Sequence, residues 1–305
     1  GPVFFPSVSS VSKTKWDVGD FINFLVASQH PHFLVSCYDL YNSKRKDELL
    51  TLLKEAKQKQ FILLDSGIYE QVWHKNSNWD IEKYHEIISY GVFSEAFCYD
   101  SYFLSEKAIS IDDINKSITD SRLNNVSNKI SPIVHCNCKD DFAGYSFELV
   151  KMVSPSILAF PERELGRGVF EITKKIIEIR EALNAINPEQ IIHILGTGNP
   201  ISIMLYYFAG ANTFDGLDWC QTVVDFDTAK LHHYQHLDLY KHQSTSGLDM
   251  NYSFMTRCYL HNLEFYSWWT SELKNIHTSN DKAKMLERYL PNQISKDLFK
   301  EILCK

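Results

Sequence analysis

The stretch FILLDSGIYE, Phe61–Glu70, runs four apolar residues straight into an aspartate, a serine and a glycine. A short apolar run bounded in this way reads as a strand buried on both faces. The pattern recurs in HFLVSCYDL (32–40), EAFCYDSY (95–102), SPIVHC (131–136), SILAFPE (156–162), IIHILGTG (191–198) and TFDGLD (213–218). Between these runs, segments such as SKRKDELLTLLKEAKQKQ and GVFEITKKIIEIREALNAI place apolar residues at i, i+3, i+4 and i+7, the period of an amphipathic helix. Strand alternating with helix implies parallel strands joined by crossover helices. Seven such strands, with an eighth still to be placed, predict an α/β fold: a TIM-type (β/α)8 barrel in a single domain over 31–275. An N-terminal segment (1–30) precedes it and a C-terminal helical extension (276–305) follows. An open doubly wound sheet is the alternative; it is disfavoured because no glycine-rich dinucleotide loop follows an early strand.

The chain of 305 residues is 44% hydrophobic, enough for a sizeable core. No apolar run approaches the ~18 residues that would suggest a membrane span, so no membrane partner is expected. The start, GPVFFPS, lacks the basic region and cleavage site of a signal peptide. Its leading Gly-Pro reads as a cloning remnant and is set aside from the fold. Seven irregularly spaced cysteines suit a reducing compartment, so a cytoplasmic location is expected. A net charge of −7 argues against a strongly basic nucleic-acid coat but leaves room for a local basic patch.

Apolar runs end at or near Asp39, Asp65, Asp100, His135, Glu162 and Asp215. In a β/α barrel the carboxyl ends of the strands and the loops after them form the active-site face. An aspartate past a strand can also cap the next helix. Several carboxylates at matching strand ends are harder to explain by capping alone.

The ordered motifs resemble the tRNA-guanine transglycosylase superfamily over roughly residues 30–275. LLDSGIYE is similar to its Asp-Ser-Gly-Gly-Phe-Gln/Glu strand end, AFCYDSY to its AFDE strand end, and PIVHC stands where it has Val-Gln-Gly-Gly. HILGTGNPISIMLYYFAGANTFDGLDW resembles its Leu-Gly-x-Gly-x-Pro segment, helix and Phe-Asp; YLHNLEFYSWW resembles its His-Asn-Leu-x-x-Tyr helix. The resemblance implies cleavage of an N-glycosidic bond, with the target base flipped out of its stack. It implies Asp215 as nucleophile at C1′ and Asp65 as general acid/base. It implies that Asp100 reads the Watson–Crick edge of the base; His135, Glu162, Arg163, Gly196 and Tyr69, at or near strand ends, are further base-binding candidates. A carboxylate nucleophile divides one difficult displacement into two easier ones, and a second carboxylate near the first is suited to carrying a proton. Tyr69, Tyr99, Tyr102 and Trp219 could stack on a base. Lys44, Arg45 and Lys46, and the GTGNP loop (196–200), could meet phosphate.

Three departures narrow the expectation. The family's Cys-x-Cys-x2-Cys cluster is absent, although His261 stands where its histidine does; KLHHYQHLDLYKHQ occupies the place of the thiolates. No zinc and no other cofactor are therefore expected, and the residues that would have to hold zinc are His232, His233, His236, Cys258 and His261. HCNC (135–138) reads as part of a pocket rather than a metal site. LAFPERELGRG puts Pro161, Glu162, Arg163 and Glu164 where the family offers bare glycine backbone, so the ligand differs there; the charged pair could otherwise cap a helix. The segment from Asp215 to His261 is short and no appended RNA-binding domain follows, which fits DNA better than a folded tRNA. DNA-acting members of the superfamily insert 7-deazaguanines, and a phage-defence branch excises a modified base. The expected function is thus a DNA glycosylase or base-exchanging transglycosylase acting on a modified base, in antiviral defence. A tRNA-guanine transglycosylase and an inactive protein that only binds a modified base are the alternatives. A metal-dependent hydrolase lacks a compact ligand motif.

Overall fold

The computed structural model describes residues 1–100, 110–120, 126–135 and 141–304. Eight parallel strands alternate with helices: β1 (Val3–Val8), β2 (His32–Ser36), β3 (Phe61–Asp65), β4 (Glu95–Phe97), β5 (Ile130–Ser131), β6 (Ile157–Pro161), β7 (Ile191–Leu195) and β8 (Thr213–Gly216). Their order in the sheet is β5-β4-β3-β2-β1-β8-β7-β6, and an isolated parallel bridge joins Ile133 to Ala159. This is a nearly closed TIM-type β/α barrel with a C-terminal helical region, as the sequence implies. The interiors of the strands are apolar because both faces are covered: Ile62, Leu63 and Leu64 of β3 have no solvent exposure.

The strand left unplaced by the sequence is β1, and it lies in the segment set aside as N-terminal. Val3–Val8 belongs to the sheet: Ser7 and Val8 pair with Leu34 and Val35, and the Val3 amide donates to Asn212 O at 3.0 Å. Two further expected runs are shorter than their apolar content. HFLVSCYDL stops being a strand at Ser36, and Cys37–Asn42 is helical, so Asp39 sits in a helical first turn. SPIVHC contributes Ser131 to β5 and then only the bridge at Ile133.

Backbone contacts group the chain into two compact units. One comprises Phe5–Pro161 and Ala182–Ile191, and holds the run from β2 to β6. There Ser36 stands beside Asp65 in register, and Leu63 beside Glu95.

The other comprises Gly1–Phe4, Glu162–Glu181 and Ile192–Lys305. It carries β8, a small antiparallel ribbon (β9, Thr222–Asp225; β10, Lys230–His233), a long helix Phe254–Lys274, and the terminal helices Ser279–Tyr289 and Gln293–Leu303. The helix Pro200–Ala209 starts with proline at its first turn and Asn199 as its cap, and stops at Gly210, whose φ of 114° suits glycine. Arg180 secures that stop, donating to Gly210 O and to Asn212 Oδ1. The long helix anchors the loop before Pro200. Tyr266 Oη donates to Gly198 O at 2.6 Å, Trp269 Nε1 donates to Pro200 O at 3.0 Å, and Phe4 stacks on the Tyr266 ring with centroids 3.9 Å apart.

Phe4 and Tyr266 are both 2% exposed. Phe4→Ala is expected to lower unfolding free energy by about 3–5 kcal/mol, the usual cost of emptying an aromatic core site. Urea denaturation checks this; a loss below about 1 kcal/mol would remove β1 from the core.

Candidate active-site residues at the strand ends

Asp215 lies in β8 two residues beyond Thr213, so both side chains leave the same face of the strand. Thr213 is in register with His193 of β7. His193 has no solvent exposure and bridges the two: its Nδ1 lies 2.8 Å from Thr213 Oγ1 and its Nε2 lies 3.0 Å from Asp215 Oδ1. A carboxylate only accepts, so Nε2 donates to Asp215. The Gly196 amide also donates to Asp215 Oδ1, at 3.1 Å. Gly196 has φ +78°, a left-handed conformation that turns its N–H back onto β8. A Cβ on Gly216 would fall 2.7 Å from Gly198 N, so a side chain there would force the loop off the strand. Asp215 is thereby a buried carboxylate held in one orientation by an imidazole and a backbone amide.

Glu162 opens the short helix Glu162–Leu165 directly after β6, and Tyr206 Oη donates to its Oε1 at 2.7 Å. Burial raises the Glu162 pKa, and the charges of Asp218 and Asp215 add to it against the Tyr206 hydrogen bond. Glu162 is therefore within electrostatic reach of Asp215. Burial likewise raises the Asp218 carboxyl.

In the unit that holds β3, Asp65 ends the strand and accepts from the Gly67 amide at 3.2 Å. Gly67 has φ +87°, and a Cβ there would lie 2.5 Å from Tyr38 Cβ, so the turn after Asp65 requires glycine. Asp100 is fixed from both sides: Ser66 Oγ donates to Oδ1, and His135 Nε2 lies 2.5 Å from Oδ2. All three residues of this set are buried. Behind Asp65 sits a further carboxylate pair. Glu70 accepts from Ser9 Oγ at 2.5 Å and from Ser36 Oγ at 3.0 Å, and Asp39 accepts from the Ser10 amide at 2.8 Å. Burial, then the Asp39 charge, pushes Glu70 up to about 7. Burial pushes Asp39 up to about 6, with the Asp65 charge adding to it against the Ser10 hydrogen bonds. Burial and the charges of Asp65 and Glu70 also hold the Cys37 thiol well above its usual range.

The structure thus joins Gly196 to Asp215 and His135 to Asp100, and sets Glu162 near Asp215. Arg163 and Tyr69 are exposed. Trp219, a stacking candidate, is instead a core residue with no exposure, edge-on to Tyr259. Tyr99 packs against Tyr84. Tyr102 and the Cys136–Asn137–Cys138 part of HCNC lie outside the described residues. In the basic run at 44–46, Arg45 pairs with Glu48 and Asp20, and Lys46 with Glu86. In the GTGNP loop the Gly196 amide goes to Asp215, and Asn199 Oδ1 caps the following helix by accepting from the amides of Ile201 and Ser202. Sequence reasoning missed His193, Tyr206 and Glu70. A lone histidine inside the apolar run IIHIL, paired with a strand ending in Phe-Asp, was the available signal for His193.

Among the zinc candidates, His261, Cys258 and His233 are engaged with protein atoms. His261 uses both ring nitrogens on protein atoms, Nδ1 with Ser244 Oγ at 2.7 Å and Nε2 with Val224 O at 2.8 Å. Cys258 directs its thiol to Thr222 O. His233 Nδ1 accepts from the Gln235 amide, and His232 and His236 keep their rings 6.4 Å apart. Among the described residues no group of three or more His, Cys, Asp or Glu could hold a metal ion, and no helix is long and apolar enough to cross a membrane.

No family model matches the chain, and no curated protein is detectably similar to it in sequence.

Two measurements check this description. Glu70 and Asp39 hold their protons more tightly folded than unfolded, as does Glu95, pushed up to about 7 by burial. Their contribution is complete below the unfolded carboxyl range and is lost as pH rises from near 4.5 to about 7. Glu70→Gln is expected to flatten part of that fall in stability; an unchanged pH profile would show that Glu70 does not retain its proton. Elemental analysis is expected to return well under one zinc per chain; stoichiometric zinc lost on His261→Ala would contradict the hydrogen-bonded arrangement at that residue.

Proposed function

We propose that this protein cleaves the N-glycosidic bond of a modified base in DNA, with Asp215 as the nucleophile. The observation that carries the reading is the Asp215 carboxylate itself: buried at the carboxyl end of a barrel strand, with Oδ1 held by His193 and the Gly196 amide. An attacking carboxylate needs a fixed direction and hydrogen bonds that need not reorganise when its charge is spent. The resemblance to the transglycosylase superfamily points to the same residue.

In the proposed reaction an Asp215 oxygen attacks C1′ of the flipped-out nucleotide. The C1′–N bond breaks and its electron pair stays with the base, which takes a proton from the carboxyl of Asp65. A glycosyl ester to Asp215 results. Asp65, now a carboxylate, removes a proton from water, and the hydroxide oxygen attacks C1′. The ester breaks, Asp215 leaves as carboxylate, and an abasic site remains. If a free base takes the place of water, the outcome is base exchange. Asp100, with His135 and Ser66, supplies polar groups suited to a base edge. The part-buried Glu162, which accepts from Tyr206, offers a polar wall suited to a decorated base. A role in antiviral defence accords with excision of modified bases from phage DNA.

The test compares heavily modified phage DNA, unmodified DNA and tRNA, with released bases identified by mass spectrometry. Base release from the modified DNA is expected, and Asp215→Asn should reduce it about a thousandfold or more without changing the melting temperature appreciably, because an amide cannot attack C1′. Turnover undiminished in Asp215→Asn would remove Asp215 from the chemistry. Guanine exchange in tRNA with no action on DNA would return the protein to the tRNA-modifying branch.

A further inference from the structure

The turn after Asp65 leads into a short helix, Ile68–His74, which buries Ile68, Glu70 and Gln71. Its other side is unusual. Tyr69 is 40% exposed, Val72 48% and Trp73 54%, and the Tyr69 and Trp73 rings lie one turn apart, tilted by 36° with centroids at 6.4 Å. Two large aromatics and a valine side by side in water form an apolar patch of the kind that marks an interaction surface. The segment that follows it, between Glu70 and Asp80, and the loop tied to it, which ends before Asp17, are basic although the chain as a whole carries −7. Gln71–Trp79 contains His74 and Lys75 and no acid; Ser9–Trp16 contains Lys13 and Lys15 and no acid. The second segment is tied to the helix twice, by Ser10 Oγ with His74 Nε2 at 2.7 Å and by Ser9 Oγ with Glu70. Lys13, Lys15 and Lys75 are all exposed.

We propose that the Tyr69–Val72–Trp73 face, with Lys75 and the tethered loop bearing Lys13 and Lys15, is a docking surface for single-stranded or locally unstacked nucleic acid. Bases would stack on Tyr69 and Trp73, which accept any base because each has a π-face, and the lysines would meet phosphates. Exposed aromatic rings with exposed lysines in the same helix end and in the loop tied to it suit the alternation of base and phosphate along a strand better than an uncharged protein face. The proposal rests on the N-glycosidic reading, since the helix begins three residues after Asp65, and an enzyme that extrudes one base must hold the strand it disturbs.

The test uses a fluorescein-labelled oligo(dT) of about twenty nucleotides, long enough for one such site, and fluorescence anisotropy on the Asp215→Asn protein so that no turnover intervenes. Trp73→Ala should weaken binding about tenfold, in line with loss of one stacked base. Lys13→Glu with Lys15→Glu should weaken binding and lower the dependence of log Kd on log salt by about one to two. Thermal melting of each variant shows whether the fold is kept, as expected for exposed side chains. Wild-type affinity in both variants would overturn the proposal. So would concentration-dependent self-association that Trp73→Ala abolishes while oligonucleotide binding persists, which would assign the face to a second copy. Base release is scored separately on the wild-type protein. Oligonucleotide held at this face by a protein that releases no base from any substrate would keep the surface and remove the reaction; base release with unaffected binding would do the reverse.

Discussion

A carboxylate taken out of water must be hydrogen-bonded, and this requirement governs the strand ends of the protein. Asp215, Asp100, Asp39 and Glu70 are all nearly inaccessible, and Glu162 is partly so. Their donors are imidazoles, hydroxyls and backbone amides: His193 and Gly196, His135 and Ser66, Ser10, Ser9 and Ser36, and Tyr206. Such donors fix a carboxylate in direction without the full neutralisation that a bonded guanidinium would bring. Burial raises the proton affinity of two of these carboxylates. Glu70 and Asp39 are pushed up to about 7 and about 6, into a range where a carboxyl can give and take a proton near neutrality.

The orientation of Asp215 is the end of a chain of packing that begins far from it in sequence. Phe4 stacks on Tyr266; Tyr266 donates to Gly198 O; Trp269, one turn along the same helix, donates to Pro200 O. Those contacts fix the loop that delivers the Gly196 amide to Asp215, and Gly216 allows the loop to lie against β8. The same helix uses Asn262 to bond Trp219 O, Thr222 O and the Val224 amide, so it also fixes the segment that leaves β8. His261, one residue earlier, uses both ring nitrogens to hold Val224 O and Ser244, a task for which no metal is required.

The barrel was legible because buried parallel strands leave unbroken apolar runs, and FILL, ILAF and IIHIL need no partner sequence to be read. Asp65 and Asp215 were legible because a carboxylate after such a run is conspicuous. The remainder was hidden for particular reasons. β1 contains Pro6 and Ser7 and stands at the start of the chain, where a short apolar run resembles a loose tail. Glu70 could not be seen as a buried acid because its partners Ser9 and Ser36 lie in two other strand ends, and one of those belongs to the strand that was missed. His193 sits mid-strand in an apolar run, and only the register of β7 with β8 places Thr213 beside it. Trp219 reads as a stacking residue because it lies just past a strand end, but it falls in a short helix and its indole is buried. Register and helix phase at strand ends depend on tertiary packing, which local sequence does not encode.

The most direct measurement is intact-protein mass spectrometry after a rapid acid quench of the wild-type protein with heavily modified phage DNA cut to short fragments, followed by peptide mapping. A transient adduct carrying the sugar of the abasic nucleotide, mapped to Asp215, is the predicted result. Base release with the peptide containing Asp215 unmodified at every quench time, or an adduct on a different residue, would contradict a mechanism in which this carboxylate attacks C1′.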